Sequence, residues 1–169
     1  MQISQTQEQI QALSSLQSHC EIQDITLLST AVIRAKAGNE FKAPFSAKPT
    51  LSNVSWTVRG DSLFVEVSFE YAAWDSSEPP ERLFGVNCTF EAAYELRPSG
   101  FVPSDTELAS FARGTAIFNC WPYAREYLRD TTSRIGHRTP VIPLLRIVPK
   151  KAAPEVPASI EGPDPSLDQ

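Results

Sequence analysis

His19 and Cys20 stand side by side with Asp24 close behind, and by residue type they are the chain's nearest approach to a nucleophilic site. A Cys–His nucleophile needs thiolate and imidazole within hydrogen-bond reach. Adjacent residues at the start of a strand point to opposite faces, which works against that contact. The trio therefore reads as an element boundary, with Cys20 as nucleophile kept as the enzymatic alternative. His137 sits just past a long helical pattern and reads as a C-terminal capping residue. Two histidines and three cysteines without a C-x-x-C spacing make no metal cluster. None of the glycines forms a G-x-G-x-x-G or a P-loop, so no nucleotide site is expected. Glu66, Glu70, Glu91 and Glu95 recur along strand-like segments, where a solvated sheet face explains them without a general acid–base pair. Cys88 and Cys120 fall on apolar parities and read as core.

The elements that would position these residues begin with a short amphipathic helix. Residues 5–18 place Ile10, Leu13 and Leu16 at helical spacing among Gln and Ser. Strand character starts near Glu21, with Ile25, Leu27, Ala31 and Ile33 on one parity and Asp24, Thr26 and Thr30 on the other. A long connection, residues 35–50, contains Gly38, Pro44 and Pro49 yet also Phe41 and Phe45. Loops of that length are usually functional or disordered, and aromatics argue against disorder. Val54, Trp56 and Val58 then alternate up to a tight Gly60-Asp61 turn, and Leu63, Val65, Val67, Phe69 and Tyr71 alternate after it. The last strand keeps Phe84, Val86, Cys88, Phe90, Ala92, Tyr94 and Leu96 on one parity. One buried and one wet face is the pattern of an antiparallel sheet covered on one side.

Ser104 with Glu107 forms a capping box that opens a short helix to about Arg113, where Gly114 is expected to break it. A longer helix follows from about Thr115 to Ile135, with Ile117, Cys120, Trp121, Ala124, Leu128 and Ile135 at helical spacings and Gly136 as its stop. Pro122 lies inside that pattern, where proline costs about 3 kcal/mol unless it is accommodated. Residues 138–149 are apolar but proline-rich, so neither a helix nor a central strand is expected there. Such an extended apolar segment needs a cover. From Ala152 onward four prolines and four acidic residues, with no base, predict disorder. The order gives a segregated α+β fold, in which a four-stranded antiparallel sheet precedes a short and a long helix. Three regions are expected: residues 1–19 as an N-terminal amphipathic helix, 20–149 as the main domain and 150–169 as an acidic tail.

With 169 residues, 41% of them hydrophobic and 21% charged, the chain suits one globular domain. A net charge of −5 argues against nucleic acid as the main partner. Unpaired cysteines, no signal peptide at the N-terminus and no membrane-length apolar run make the cytoplasm the expected compartment. The expectation is a protein that does no chemistry, needs no cofactor and binds other polypeptides through apolar surface.

Asn119 to Arg134, with Trp121-Pro122-Tyr123-Ala124-Arg125-Glu126 at its centre, followed by Pro140-Val-Ile-Pro-Leu-Leu145, resembles the SecB family of export chaperones. There too an aromatic-Pro-Tyr-Ala-Arg-Glu run lies on the long helix, and a proline-rich apolar loop follows it. The resemblance spans roughly residues 20–149 and the order of elements. It implies an ATP-independent chaperone that holds unfolded polypeptides in apolar grooves. It also implies a homotetramer, a dimer of dimers packed through the long helices, with Trp121, Tyr123, Arg125, Tyr127 and Leu128 at the contacts. Clients would meet Phe41 and Phe45 of the crossover and Val141, Ile142, Leu144 and Leu145 of the later loop.

Typical members dock on the SecA motor through acidic residues of the first strand. Asp24 matches one of these, whereas Leu28 stands where a second acid is expected. A subgroup instead protects an antitoxin in toxin–antitoxin–chaperone systems, and the N-terminal helix and the Glu21–Leu28 strand start look similar to it. Both client classes stay open, beside an adaptor that binds one folded partner.

Overall fold

A computed structural model describes residues 1–34, 46–136 and 141–149. The chain opens with a short strand, β1 (Gln2–Gln5), and helix α1 (Gln7–Gln17). Thr6 caps α1 through a capping box, accepting from the Gln9 amide at 3.2 Å while its own amide donates to the Gln9 side chain at 2.9 Å. Four long strands follow: β2 (Cys20–Arg34), β3 (Ser46–Arg59), β4 (Ser62–Trp74) and β5 (Arg82–Leu96). Helix α2 (Asp105–Phe111) runs through a π turn (Ala112–Ala116) into α3 (Ile117–Arg134), and β6 (Arg146–Pro149) closes the described chain.

The long strands form one antiparallel sheet in the order β2-β5-β4-β3, so β2 and β3 are its edges. The first strand departs from its expected parity. Register shifts at Ile22/Asp24 and Leu27/Ser29 each insert an extra residue into β2. Ile25 and Leu27 therefore share the inner face with Phe90 and Ala92, while Ala31 and Ile33, expected beside them, lie opposite Asn87 and Gly85 on the outer face. Period-two counting cannot survive a bulge.

The core lies where α2 and α3 cross the inner face of β4 and β5. Phe69 packs on Trp121, Tyr94 on Phe111, and Tyr94 Oη accepts a hydrogen bond from the Asn119 amide at 3.0 Å. A helix is about 10 Å wide and strands are about 4.8 Å apart, so a single helix covers about two strands. The inner faces of β2 and β3 consequently keep Ile22, Leu27, Val32, Leu51 and Val58 exposed.

Gly114, expected to end a helix, lies buried inside the π turn, and the helical path continues through it. A Cβ there would sit 2.3 Å from Leu13 Cδ1 and 2.6 Å from Gln5 Nε2. Glycine is needed for this close approach of β1 and α1, not for a break. Pro122 is accommodated within α3 on its exposed side. Residues 1–19 are built into the same core: Leu16 is wholly buried, and β1 pairs in parallel with β6. Glu107 fastens α1 to α2, accepting from Ser15 Oγ at 2.6 Å while completing the Ser104 capping box. These hydrogen bonds, that of Ser15 first, hold its carboxyl below the usual carboxylate range.

Candidate functional site

Between the start of β3 and the β1–β6 pair lies a cleft of about 800 Å³. Met1, Gln2 and Ile3 form one wall, Ala47 to Leu51 the other, with Tyr71 beneath and Val141 and Pro143 at the rim. A second cleft of about 430 Å³ continues it and shares Ile3 and Leu51. Its lining is about half polar: Ser4, Gln5, Gln9, Ser52, Asn53, Ser110 and Arg113 stand beside Val54 and Ile117. Together they make a trough along β3 from Ala47 to Val54, long enough for an extended segment of about seven residues at 3.3 Å each.

Local sequence explains each wall. β1 is held by parallel pairing of Gln2 to Gln5 with Arg146 to Pro149, and the Arg146 amide donates to Met1 O at 3.0 Å. The loop before β6 is pinned from the long helix, where Arg125 Nε donates to Ile142 O at 3.0 Å. On the edge strand β3, Lys48, Pro49 and the shift at Leu51/Asn53 guard against indiscriminate strand addition. Side chains, rather than a free backbone ladder, are what the trough offers.

The structure sorts the expected contact residues. In the later loop, Val141 and Leu144 are 96% and 68% exposed, with Val141 in the trough rim. Ile142 and Leu145, only 3% and 8% exposed, belong to the chain's own core. Phe41, Phe45 and His137 lie outside the described residues. On α3, Tyr123 and Arg125 are exposed and Tyr127 is half-buried. Trp121 and Leu128 are buried against the chain's own sheet, since they fall with Ile117, Cys120 and Ala124 on the inward stripe. Of the five α3 residues expected at a contact, Tyr123, Arg125 and Tyr127 keep exposed surface. Asp24, on the first long strand, is exposed, and its carboxylate accepts from the Ile25 amide at 2.8 Å and from Thr26 Oγ1 at 3.0 Å.

No sequence signal had marked β1, Pro49, Leu51 or Arg113 as site residues. Four residues of strand cannot be told from a helix lead-in by periodicity, and Arg113 was read as a helix end.

The chemistry available at His19 and Cys20 is poor. His19 stacks on Phe101 at 4.3 Å, with Nδ1 3.0 Å from Ser15 O. Burial pushes the Cys20 thiol up to about 11, far from the thiolate that a nucleophile needs at neutral pH. Among the described residues no group of three or more His, Cys, Asp or Glu could hold a metal. Nor, among those residues, is any helix long and apolar enough to cross a membrane.

No family model matches the sequence, and no curated protein matches it. Solved structures do match. The chain aligns with the SecB-like chaperone of Mycobacterium tuberculosis, determined in complex with a ChAD peptide from the HigA1 antitoxin, at a TM-score of 0.67. The alignment covers 80% of this chain and 99% of that one, at 20% identity. The chain has the SecB-like fold. The likeness agrees with the order of elements read from the sequence.

Proposed function

We propose that this protein is a chaperone of the SecB type that holds unfolded polypeptide segments in the trough along β3, without ATP and in the cytoplasm. The observation that supports this most directly is the continuous apolar wall of Ile3, Pro49, Leu51, Tyr71 and Val141, open to solvent at the rim. Burial of such surface yields affinity with little demand on sequence, at about 25 cal/mol per Å². Folded proteins hide the groups that would fill it. The exposed inner flank of β2, with Tyr123 and Tyr127 nearby on α3, supports association of copies into the tetramer that the family resemblance implies. Several troughs on one particle would then add avidity for a long client.

Of the two client classes, one dedicated antitoxin-like client is the better supported. The neighbour of like fold was solved with an antitoxin peptide. Leu28 is exposed and apolar on β2, where docking on the SecA motor would call for a second acid beside Asp24.

The test uses the full chain and a permanently unfolded, carboxymethylated protein as client. Binding is read by fluorescence anisotropy and size by light scattering. Leu51→Asp combined with Val141→Asp should weaken the client by about tenfold or more and leave the particle size unchanged, because two apolar contacts are lost. Failure of the parent chain to bind the unfolded client, or full binding by the double variant, would overturn this reading.

A further inference from the structure

The lining of the trough departs from the charge of the whole chain. The protein contains 20 Asp and Glu against 15 Lys and Arg, yet no carboxylate lines either cleft. Two cations do, Lys48 at the apolar end and Arg113 at the polar end. Three other arginines are closely paired. Arg82 pairs with Glu70 at 2.6 Å, Arg97 with Glu21 and Glu95 at 2.6 and 2.8 Å, and Arg134 with Asp130 at 2.7 Å. Arg113 has no ion pair or hydrogen bond among the described residues.

Its surroundings add direction to this free charge. The π turn that contains Arg113 packs against β1 and α1 at Gly114, and π turns recur at functional positions because the extra residue re-aims neighbouring side chains. Gln5 is spent on Ser110 O, Gln9 on the capping box and Ser52 on Ser68 O. Asn53 pairs opposite Ser68 and projects with it to the outer face of the sheet, so it adds no side-chain donor beside Arg113. The apolar end lies along Pro49 to Leu51, and Asn53 is three ladder steps, about 10 Å, from Pro49, because the bulge adds a residue to β3 without adding length.

We infer that the trough selects an extended segment whose apolar anchors lie about three residues from a side-chain carboxylate received by Arg113. This rests on the polypeptide-binding reading and refines the class of client. A side chain, not a chain end, is the natural donor, because β3 continues beyond Asn53 to Arg59 and gives the trough no end wall there. The pair is charge-assisted but partly solvated, so it adds selectivity rather than most of the affinity.

The experiment uses the full chain and two fluorescent peptides of about ten residues, acetylated and amidated, with paired leucines flanked about three residues away on both sides by Glu or by Gln. The Glu peptide should bind about three- to tenfold tighter than its Gln twin, and less so at high salt. Arg113→Gln should abolish the preference, Arg113→Lys should restore most of it, and Arg129→Gln, out on α3, should leave it intact. Equal binding of both peptides by the parent chain, or a preference that survives Arg113→Gln, overturns the inference while the polypeptide-binding reading stands. Binding of neither peptide overturns both. A gain seen only with a free C-terminal carboxylate also overturns it, since the site would then read chain ends.

Discussion

Leu51 and Phe69 face each other across the β3–β4 ladder and point to the same side of the sheet. Phe69 is 0% exposed under Trp121, whereas Leu51 is 37% exposed in the wall of the trough. Equivalent positions in one pattern thus serve two ends, and the difference is only whether a helix lies overhead. Alternation along a strand says which residues share a face. The width of the covering layer decides which of them form a core and which remain a binding surface.

The largest test of that contrast compares the two partners directly. Phe69→Ala should cost about 3–5 kcal/mol of stability, seen as a large fall in chemical-denaturation midpoint. Leu51→Ala should cost less than about 1 kcal/mol there and appear instead as weaker client binding. If both variants lost stability equally, the trough would be part of the core.

The cysteines sharpen the same comparison through pH. Burial pushes Cys88, on the covered strand β5, up to about 12, and Cys20, at the start of the edge strand β2, up to about 11. A thiol raised in the folded state contributes stability that is complete below its unfolded value near 9.0 and lost as pH rises through the folded value. Melting temperatures should therefore decline from about pH 9 upward. In the native state a thiol reagent should reach the half-buried Cys20 first, with Cys88 protected until the sheet opens.

A smaller effect is expected where the helix layer touches the β2 flank. Thr30 Oγ1 and Tyr127 Oη meet at 2.5 Å at that margin. Tyr127→Phe should cost about 0.5–1 kcal/mol in thermal melting. No change at all would mean that the helix layer and the β2 flank are independent.

Much of this was legible beforehand, and the failures have physical causes. The alternation from Val54 to Leu96 located three strands and their buried faces, and the capping box at Ser104 located α2. Trp121 to Glu126 pointed to the fold that the structural likeness supports. The parity of β2 failed at its bulges, which leave no mark in residue type. Gly114 was misread because helix breaking and close packing demand the same residue. Trp121 and Leu128 were assigned to a subunit contact although their spacing already put them on the core stripe. The trough itself was illegible, since one wall, β1, exists only by pairing with β6, more than a hundred residues away.

That last pairing sets an order of events during synthesis. The sheet and the helices can assemble once α3 has emerged, but β1 has no partner until Arg146 to Pro149 are made. Contacts this distant in sequence close late, after the loop entropy of everything between them has been met. A nascent copy thus has most of its core before it has its trough. It acquires the means to hold another chain only when its own folding is nearly done, and its own unfolded segments are by then out of reach.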